Sequence, residues 1–282
     1  FSLPPLLLDA MISHDARPLV RWLSALQPAP DGATFFNFTA SHDGVGVRPL
    51  EGLVSEDRIS ELGDGVQARG GLVSYRRQTD GTDVPYELNV SYVSALGEPA
   101  DGSEPDSATS VETHARRFLT SQGLMLSLRG MPAVYFHSLV GTTNDLDGVE
   151  RSGQPRRINR RKFGIEELSE QLADQDSLQA RIFSGYCQLL KVRTAQPAFH
   201  PEALQEIWQV EESWLVAILR TSIDQKQQVL VLANLSDQPN QLDLSRYTDL
   251  KFEKELITAK SVDSTDGIEL RPGELVWLEA TV

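Results

Sequence analysis

The stretch Thr34-Phe35-Phe36-Asn37-Phe38-Thr39-Ala40-Ser41-His42-Asp43-Gly44 carries the strongest structural signal in this 282-residue chain. Two adjacent aromatic residues between β-branched threonines predict a short, mostly buried strand over Thr34–Thr39. His42 and Asp43 follow that strand, and the chain turns at Gly44. A carboxylate and an imidazole beyond the carboxyl end of a buried strand are typical of the catalytic face of an α/β barrel.

The composition predicts a globular protein with a large core, since 40% of the 282 residues are hydrophobic. A net charge of −14 argues against DNA and RNA as partners, because phosphate neutralisation needs clustered Lys and Arg. A local basic pocket can still bind a small phosphate or carboxylate ligand. Cys187 is the single cysteine, so no internal disulfide forms, and its apolar surroundings predict a small buried side chain.

The first residues carry no sign of a membrane anchor or a secretory signal. Leu3–Met11 is apolar but shorter than a membrane span, and no basic stretch precedes it. Because Phe1 is not an initiator methionine, we expect a processed or truncated product. We also expect no membrane partner and a cytoplasmic location.

Hydrophobic periodicity divides the chain into helical, irregular and strand-rich stretches. Residues 44–110 are rich in Gly, Asp and Ser, which predicts an inserted subdomain of loops and short elements. From residue 199 onward, short apolar runs alternate with polar turns, which predicts a separate antiparallel domain. The predicted helices are Pro5–Leu26 (broken near Asp15 and Arg17), Glu56–Leu62, Val111–Leu128 and Leu168–Lys191, and the predicted strands are Thr34–Thr39, Leu72–Arg76, Ala133–Phe136, Ile207–Val210, Ser213–Arg220, Gln227–Leu235, Gln241–Leu244, Glu255–Thr258 and Glu274–Ala280.

This order of elements predicts an α/β fold that contains the last part of a (β/α)8 barrel. The barrel part comprises residues 1–43 and 111–198, interrupted by the inserted subdomain at 44–110, and an all-β antiparallel domain follows at 199–282. Two runs, Thr34–Thr39 and Ala133–Phe136, have the pattern of barrel strands, whereas a closed barrel needs eight. We therefore expect that the chain does not close a barrel alone.

Five motifs occur along the chain: Phe38–Val47 with its His-Asp pair, Tyr86–Tyr92, Gly130–Phe136, Asn144-Asp145 and Arg156–Arg160. In order and spacing they resemble the sucrose phosphorylase branch of the α-amylase superfamily and the related glucosylglycerate phosphorylases. The resemblance covers essentially the whole chain and matches the carboxyl-terminal half of such an enzyme. It implies that residues 1–43 hold helix six and strand seven of the barrel. It also implies that residues 111–198 hold helix seven, strand eight and helix eight.

The resemblance implies a retaining glucoside phosphorylase. Such an enzyme uses a nucleophilic carboxylate and a general acid about 5 Å apart, and it forms a covalent glucosyl-enzyme. Inorganic phosphate, the co-substrate, then attacks this intermediate and releases glucose 1-phosphate from sucrose or glucosylglycerate. Both carboxylates belong to family strands four and five. We therefore expect this chain to be inactive without the amino-terminal half of the barrel as its partner.

Asp43 matches a third carboxylate of the family. The match implies a catalytic role, in which Asp43 holds ring hydroxyls of the sugar and offsets the developing oxocarbenium charge. His42 is expected to donate a hydrogen bond to the same hydroxyls. The alternatives are a turn-forming aspartate and a structural histidine, and the motif context favours the functional roles.

Arg156 matches a family arginine that pairs with an acidic residue from the other half of the barrel and closes the sugar pocket. Its neighbours Arg157, Arg160 and Arg161 make a solvated basic run the alternative interpretation. The position in the fifth motif favours substrate binding by Arg156.

Tyr86 and Glu87 lie, by the resemblance, on the insertion loop that lines the acceptor and phosphate side. Sucrose phosphorylases carry Leu-Asp-Leu-Tyr-Gln where this sequence has Asp83–Glu87, and they carry an acid where it has Arg48-Pro49-Leu50. The loss of an acid and the gain of Arg48 predict an anionic acceptor, because a guanidinium offers two donors to a carboxylate or a phosphate. By the resemblance, this is the pattern of glucosylglycerate phosphorylases or of sucrose 6-phosphate phosphorylases, and both acceptors stay open.

We expect no cofactor besides the co-substrate phosphate. No His, Cys or Glu spacing suggests a metal site, and no glycine loop suggests a nucleotide. The expected ligands are a small-molecule glucoside and phosphate, and a homodimer is compatible with the sequence. A non-catalytic, amylase-like carbohydrate-binding or structural module stays open as the alternative. Such a module needs an exposed aromatic platform, for which Trp208 and Trp214 are candidates, whereas the surroundings of Trp277 are typical of a core.

Overall fold

A computed structural model describes residues 1–99, 108–263 and 267–281 of the chain. The end of the predicted inserted subdomain, at residues 100–107, lies outside the described residues. The chain divides into two compact units, each assembled from three separate stretches of sequence. The first unit contains Phe1–Ser13, Phe38–Phe118 and Val134–Ser184, and the second contains His14–Asn37, Leu119–Ala133 and Gly185–Val282.

The helices and strands are numbered in chain order. The helices are α1 (Leu3–Ser13), α2 (Arg17–Ala25), α3 (Glu56–Gln67), α4 (Tyr92–Ala95), α5 (Ala108–Ser127), α6 (Phe136–Leu139), α7 (Leu146–Ser152), α8 (Ile165–Ala173) and α9 (Leu178–Thr194). The strands are β1 (Phe36–Asn37), β2 (Val45–Gly46), β3 (Leu72–Arg77), β4 (Asp83–Asn89), β5 (Met131–Pro132), β6 (Leu204–Ile207), β7 (Leu215–Thr221), β8 (Gln228–Asn234), β9 (Asn240–Leu242), β10 (Phe252–Glu255), β11 (Ile268–Leu270) and β12 (Leu275–Ala280).

The first unit contains an antiparallel sheet with the strand order β2-β4-β3. Helix α1 is buried along nearly its whole length, and this includes the carboxylate of Asp9. Arg58 of α3 compensates that charge, with Nε 2.8 Å from one Asp9 oxygen and Nη2 2.8 Å from the other. The two-point ion pair ties α1 to α3, because either charge alone would be costly to bury.

The second unit contains a five-stranded antiparallel sheet in the order β10-β12-β8-β7-β6, a β11-β9 pair and a parallel β1-β5 pair. Four of the six strands predicted after residue 199 are confirmed as β7, β8, β9 and β12. The strands predicted at Ile207–Val210 and Glu255–Thr258 are misplaced, because β6 ends at Ile207 and β10 ends at Glu255. β11 was not predicted because its three residues are too short for a pattern. Trp277 is fully buried, as predicted, and Trp208 and Trp214 also pack against the core of this sheet. These three tryptophans therefore provide no exposed platform.

The strand predicted at Thr34–Thr39 is much shorter than its sequence pattern indicates. Of these six residues, the two of β1, Phe36 and Asn37, pair with another strand. Phe36 is 69% exposed rather than buried. The aromatic and β-branched residues predict extended backbone correctly. They do not predict which side chains are covered, and a pair of two-residue strands covers few of them.

The prediction of a strand at Ala133–Phe136 is wrong. The ladder with β1 involves β5, and the chain then enters the short helix α6 at Phe136. A short apolar run does not distinguish a buried strand from a buried helix turn. His137 therefore lies within α6, where burial lowers its pKa and Nδ1 lies 3.0 Å from Thr142 Oγ1.

Two long helical patterns are each divided in the structure. Pro5–Leu26 becomes α1 and α2, close to the predicted break, and His14 between them has a positive φ of 57°. Leu168–Lys191 becomes α8 and α9, because the Ser177 hydroxyl accepts from the Ala180 amide and caps a new helix. Cys187 on α9 is exposed, so its predicted burial is wrong.

Other local predictions are confirmed. The helices predicted at Glu56–Leu62 and Val111–Leu128 correspond to α3 and α5, and the strand at Leu72–Arg76 corresponds to β3. No helix in the described ranges is both long and apolar enough to cross a membrane.

Candidate active site

The turn that carries Asp43 packs closely against β4. Strand β2 pairs antiparallel with the end of β4. Gly44 lies so near to it that a Cβ atom there would be 2.6 Å from the Leu88 carbonyl oxygen and 2.7 Å from Glu87 Cγ. Real Cβ atoms do not approach other atoms this closely. Glycine at position 44 therefore allows the Asp43 turn to approach Glu87.

Tyr86 and Glu87 lie within β4, not on a loop as predicted. β4 is hydrogen-bonded on both edges, to β2 and β3, and its register with β3 shifts between Ser74 and Tyr75. Pro85 hides the strand in the sequence, because proline is rare in paired strands. Tyr86 is 44% exposed and Glu87 is 8% exposed, so the two neighbours differ strongly in burial.

Arg156 joins two carboxylates. Its Nη1 lies 3.2 Å from Asp43 Oδ1, while Nη2 and Nε lie 3.0 and 3.1 Å from the two oxygens of Glu87. The hydrogen bond with Glu87 raises the pKa of the Arg156 guanidinium. The sequence resemblance predicted an acidic partner outside this chain, whereas the partners in the structure are two acids of the chain itself.

Arg160, which is not among the site residues predicted from the sequence, contacts Asp43 as well. Its Nη2 lies 3.1 Å from Asp43 Oδ1, the oxygen that Arg156 also binds. The sequence feature that could have indicated this contact is the fifth motif, Arg156–Arg160, since Arg160 is its last residue.

The remaining two arginines of the run point elsewhere. Arg157 Nη2 lies 3.7 Å from an oxygen of Asp145. Arg161 Nη2 lies 2.6 Å from an oxygen of Glu167, and its guanidinium lies over the ring of Phe163. The run therefore separates into arginines that bind Asp43 and arginines that do not.

The second oxygen of Asp43 is less engaged than the first. Oδ2 lies 3.7 Å from Nε2 of His42, whose side chain is 72% exposed. Because both arginines bind Oδ1, Oδ2 is the oxygen of Asp43 that can accept a hydrogen bond from a ligand hydroxyl.

A cavity of about 410 Å³ opens beside these residues. Arg48 is not among its lining residues, because it lies exposed on a short 3-10 turn, Arg48–Leu50. The cavity combines aromatic faces with two carboxylates, which suits a ligand with many hydroxyls. It is lined by Phe1, Pro4, Pro5, Phe38, Thr39, Ala40, Ser41, Asp43, Gly44, Val45, Gly46, Pro49, Tyr86, Glu87, Val90, Tyr92 and Asn159.

The structure thus brings Asp43, Glu87 and Arg156 into contact, with Tyr86 at the same cavity and His42 beside Asp43. Within the described parts of the chain, no group of three His, Cys, Asp or Glu side chains could hold a metal ion.

Sequence comparison identifies relatives along the whole chain, although no family model matches it. The glucosylglycerate phosphorylase of Spirochaeta thermophila is 37% identical over 289 residues, which is 99% of this chain and 48% of the relative. The glucosylglycerate phosphorylase of Allomeiothermus silvanus is 38% identical over 278 residues, with 99% of this chain and 46% of the relative covered. The chain therefore spans about half the length of these curated relatives.

Structure comparison finds a solved phosphorylase with a similar fold. The crystal structure of sucrose 6F-phosphate phosphorylase from Thermoanaerobacter thermosaccharolyticum matches with a TM-score of 0.65 and 22% identity, over 83% of this chain and 42% of that one. The resemblance to sucrose phosphorylases and glucosylglycerate phosphorylases that the five motifs predict is confirmed.

A Gly44→Ala substitution tests the close packing of the turn on β4. We expect it to lower the free energy of unfolding by about 1–3 kcal/mol, because the added methyl group overlaps the backbone of β4. The matched control is Gly46→Ala, since nothing lies within 4 Å of a Cβ atom at that position. Urea unfolding of both variants provides the measurement, and equal losses in the two would contradict the assigned role of Gly44.

Proposed function

Because this chain is homologous to the sucrose phosphorylase and glucosylglycerate phosphorylase type of enzyme, we propose that it is part of a retaining α-glucoside phosphorylase. The reaction transfers glucose from glucosylglycerate to inorganic phosphate and yields glucose 1-phosphate, without a further cofactor. The observation that carries the proposal is Asp43, a carboxylate at a 410 Å³ cavity whose charge is matched by two arginines.

In this proposal Asp43 is a catalytic residue that binds the glucosyl unit. Its Oδ2 accepts hydrogen bonds from ring hydroxyls, while Arg156 and Arg160 hold Oδ1. As the glycosidic bond lengthens, positive charge develops on the ring, and the carboxylate stabilises it more strongly than the neutral ground state. His42 is not among the residues that line the cavity, but its ring lies beside Oδ2 of Asp43, from where it donates to the same hydroxyls.

The covalent chemistry proceeds in two displacements. A carboxylate attacks the anomeric carbon, the bond to the acceptor oxygen breaks, and a general acid protonates that oxygen. A phosphate oxygen then attacks the same carbon and displaces the carboxylate, which gives glucose 1-phosphate. By the resemblance, the nucleophile and the general acid come from family strands four and five. We assign them to a part of the protein outside these 282 residues.

The corresponding fold is the last part of a (β/α)8 barrel, with the parallel β1-β5 pair as two of its strands. Phe36 and Met131, which pair with each other in this ladder, are 69% and 53% exposed. Large apolar side chains on a parallel pair favour burial by further strands and helices, because parallel sheets are usually covered on both faces. The exposed residues thus support a barrel completed by the rest of the protein.

The acceptor in this proposal is anionic, and we therefore propose glucosylglycerate rather than sucrose as the substrate. The relatives with 37% and 38% identity are named for glucosylglycerate, whose glycerate part carries a carboxylate. Arg48 lies outside the lining of the 410 Å³ cavity and is exposed, five residues after Asp43, so its guanidinium is available to the carboxylate of an acceptor that extends beyond this cavity. A guanidinium can bind it through two parallel hydrogen bonds.

We expect Asp43→Asn to reduce kcat for phosphorolysis by roughly 10²–10³-fold in the full-length protein, because one preorganised electrostatic group is lost. Glucose 1-phosphate release from glucosylglycerate and phosphate is the measurement. Asp80→Asn, an exposed aspartate on the β3–β4 turn, is the matched control and should keep wild-type turnover. Near-normal activity of Asp43→Asn would contradict the catalytic role of Asp43.

The 282-residue chain alone is expected to form no glucose 1-phosphate from glucosylglycerate or sucrose with phosphate, because both bond-breaking carboxylates are assigned elsewhere. The full-length protein under the same conditions is the positive control. Product from a preparation free of longer protein would mean that the chemistry lies within this chain.

The substitution Arg48→Ala tests whether Arg48 recognises an anionic acceptor. We expect kcat/KM for glucosylglycerate to fall by about 10- to 150-fold, the value of a charge-assisted contact, while that for sucrose changes little. The comparison requires both substrates on wild type and variant. If wild type prefers sucrose, or if the ratio of the two kcat/KM values is unchanged, the anionic-acceptor assignment fails.

A further inference from the structure

The backbone of the His42-Asp43 turn is held by two consecutive residues. Asn159 Nδ2 lies 2.7 Å from the carbonyl oxygen of Ser41 and 3.4 Å from that of Asp43. Arg160 Nε lies 2.6 Å from the carbonyl oxygen of His42. Three consecutive carbonyl groups therefore accept hydrogen bonds from one pair of side chains, which we call the Asn159–Arg160 clamp.

Arg160 combines this backbone contact with the contact to the Asp43 carboxylate. Its Nε donates to the His42 carbonyl, and Nη2 lies 3.1 Å from Asp43 Oδ1. The planar guanidinium fixes the angle between its donors, so the two bonds hold the carboxylate relative to its own backbone. A lysine ammonium has no such fixed fork and cannot reproduce both contacts in one geometry.

The backbone of the Asn159–Arg160 clamp is itself held by hydrogen bonds from two further side chains. The Tyr135 hydroxyl donates to the Asn159 carbonyl at 2.8 Å, and Arg157 Nη1 donates to the Arg160 carbonyl at 2.7 Å. Asn159 is 3% exposed, so its amide has little competing water. These contacts lie in the first compact unit and limit the motion of the residues that hold the turn.

We propose that Arg160 is a positioning residue: it binds Oδ1 and the His42 carbonyl, so that Oδ2 of Asp43 and the His42 ring are presented to the sugar. This inference rests on the proposed function and extends it. Arg160 acts through Asp43 and does not itself have to contact substrate. Its role differs from that of Arg156, which also binds Glu87.

The first test is kinetic and uses the full-length protein. Arg160→Ala should lower kcat about 10- to 100-fold with a smaller change in KM, because a displaced carboxylate loses contacts that strengthen in the transition state. Arg160→Lys should remain impaired despite its charge, and added guanidinium below denaturing concentration should partly restore Arg160→Ala. The matched control is Arg161→Ala, which removes an adjacent arginine paired with Glu167 and should keep wild-type kinetics.

The second test uses the same full-length protein and requires no activity. Hydrogen–deuterium exchange of the peptide that covers residues 38–46 should accelerate in Arg160→Ala and stay unchanged in Arg161→Ala. Wild-type kcat or wild-type exchange in Arg160→Ala overturns the inference, as do equal effects of the two variants. Absence of phosphorolysis in the wild-type full-length protein would instead overturn the proposed function, and exchange would still decide whether Arg160 holds the turn.

Discussion

Two carboxylates that approach one another need a cation between them, and this constraint organises the candidate site. Asp43 and Glu87 come from a turn and from strand β4, and Arg156 binds both. Arg160 adds a second positive charge on Asp43. Two acids and two guanidiniums thus balance in a chain whose net charge is −14. The balance places two carboxylates at a partly apolar cavity without a large electrostatic penalty.

Three residues that the sequence singles out, Asp43, Glu87 and Arg156, lie in contact in the structure, although the elements that carry them differ in length from the predictions. All three lie in the quoted motifs, whose residues are recognisable without any knowledge of the fold. Arg160 is not singled out from the sequence, because four arginines within six residues look alike. Arg156 and Arg157 lie in the 3-10 turn Pro155–Asn159, and Arg160 and Arg161 follow it directly. The four differ in the direction of each side chain, which periodicity does not report for so short a segment.

The elements follow a similar division. Long patterns such as α3, α5, β7, β8 and β12 are recoverable because many residues contribute to each. β1 and β5 contain two residues each, and α6 contains four, so a few apolar residues had to decide between strand and helix. β4 was interpreted as a loop because Pro85 interrupts its alternation. In each case the local sequence is weak and the neighbouring strands determine the outcome.

The alternation of the arginine run also has an evolutionary consequence. Arg156 and Arg160 bind Asp43, whereas Arg157 and Arg161 bind Asp145 and Glu167. Inserting one residue between Arg157 and Arg160 would leave Arg156 in place and move Arg160 out of register, so that Asp43 would lose one of its two cations. The segment should therefore tolerate substitution far better than a change of length. Alignments of homologues are expected to cross it without a gap.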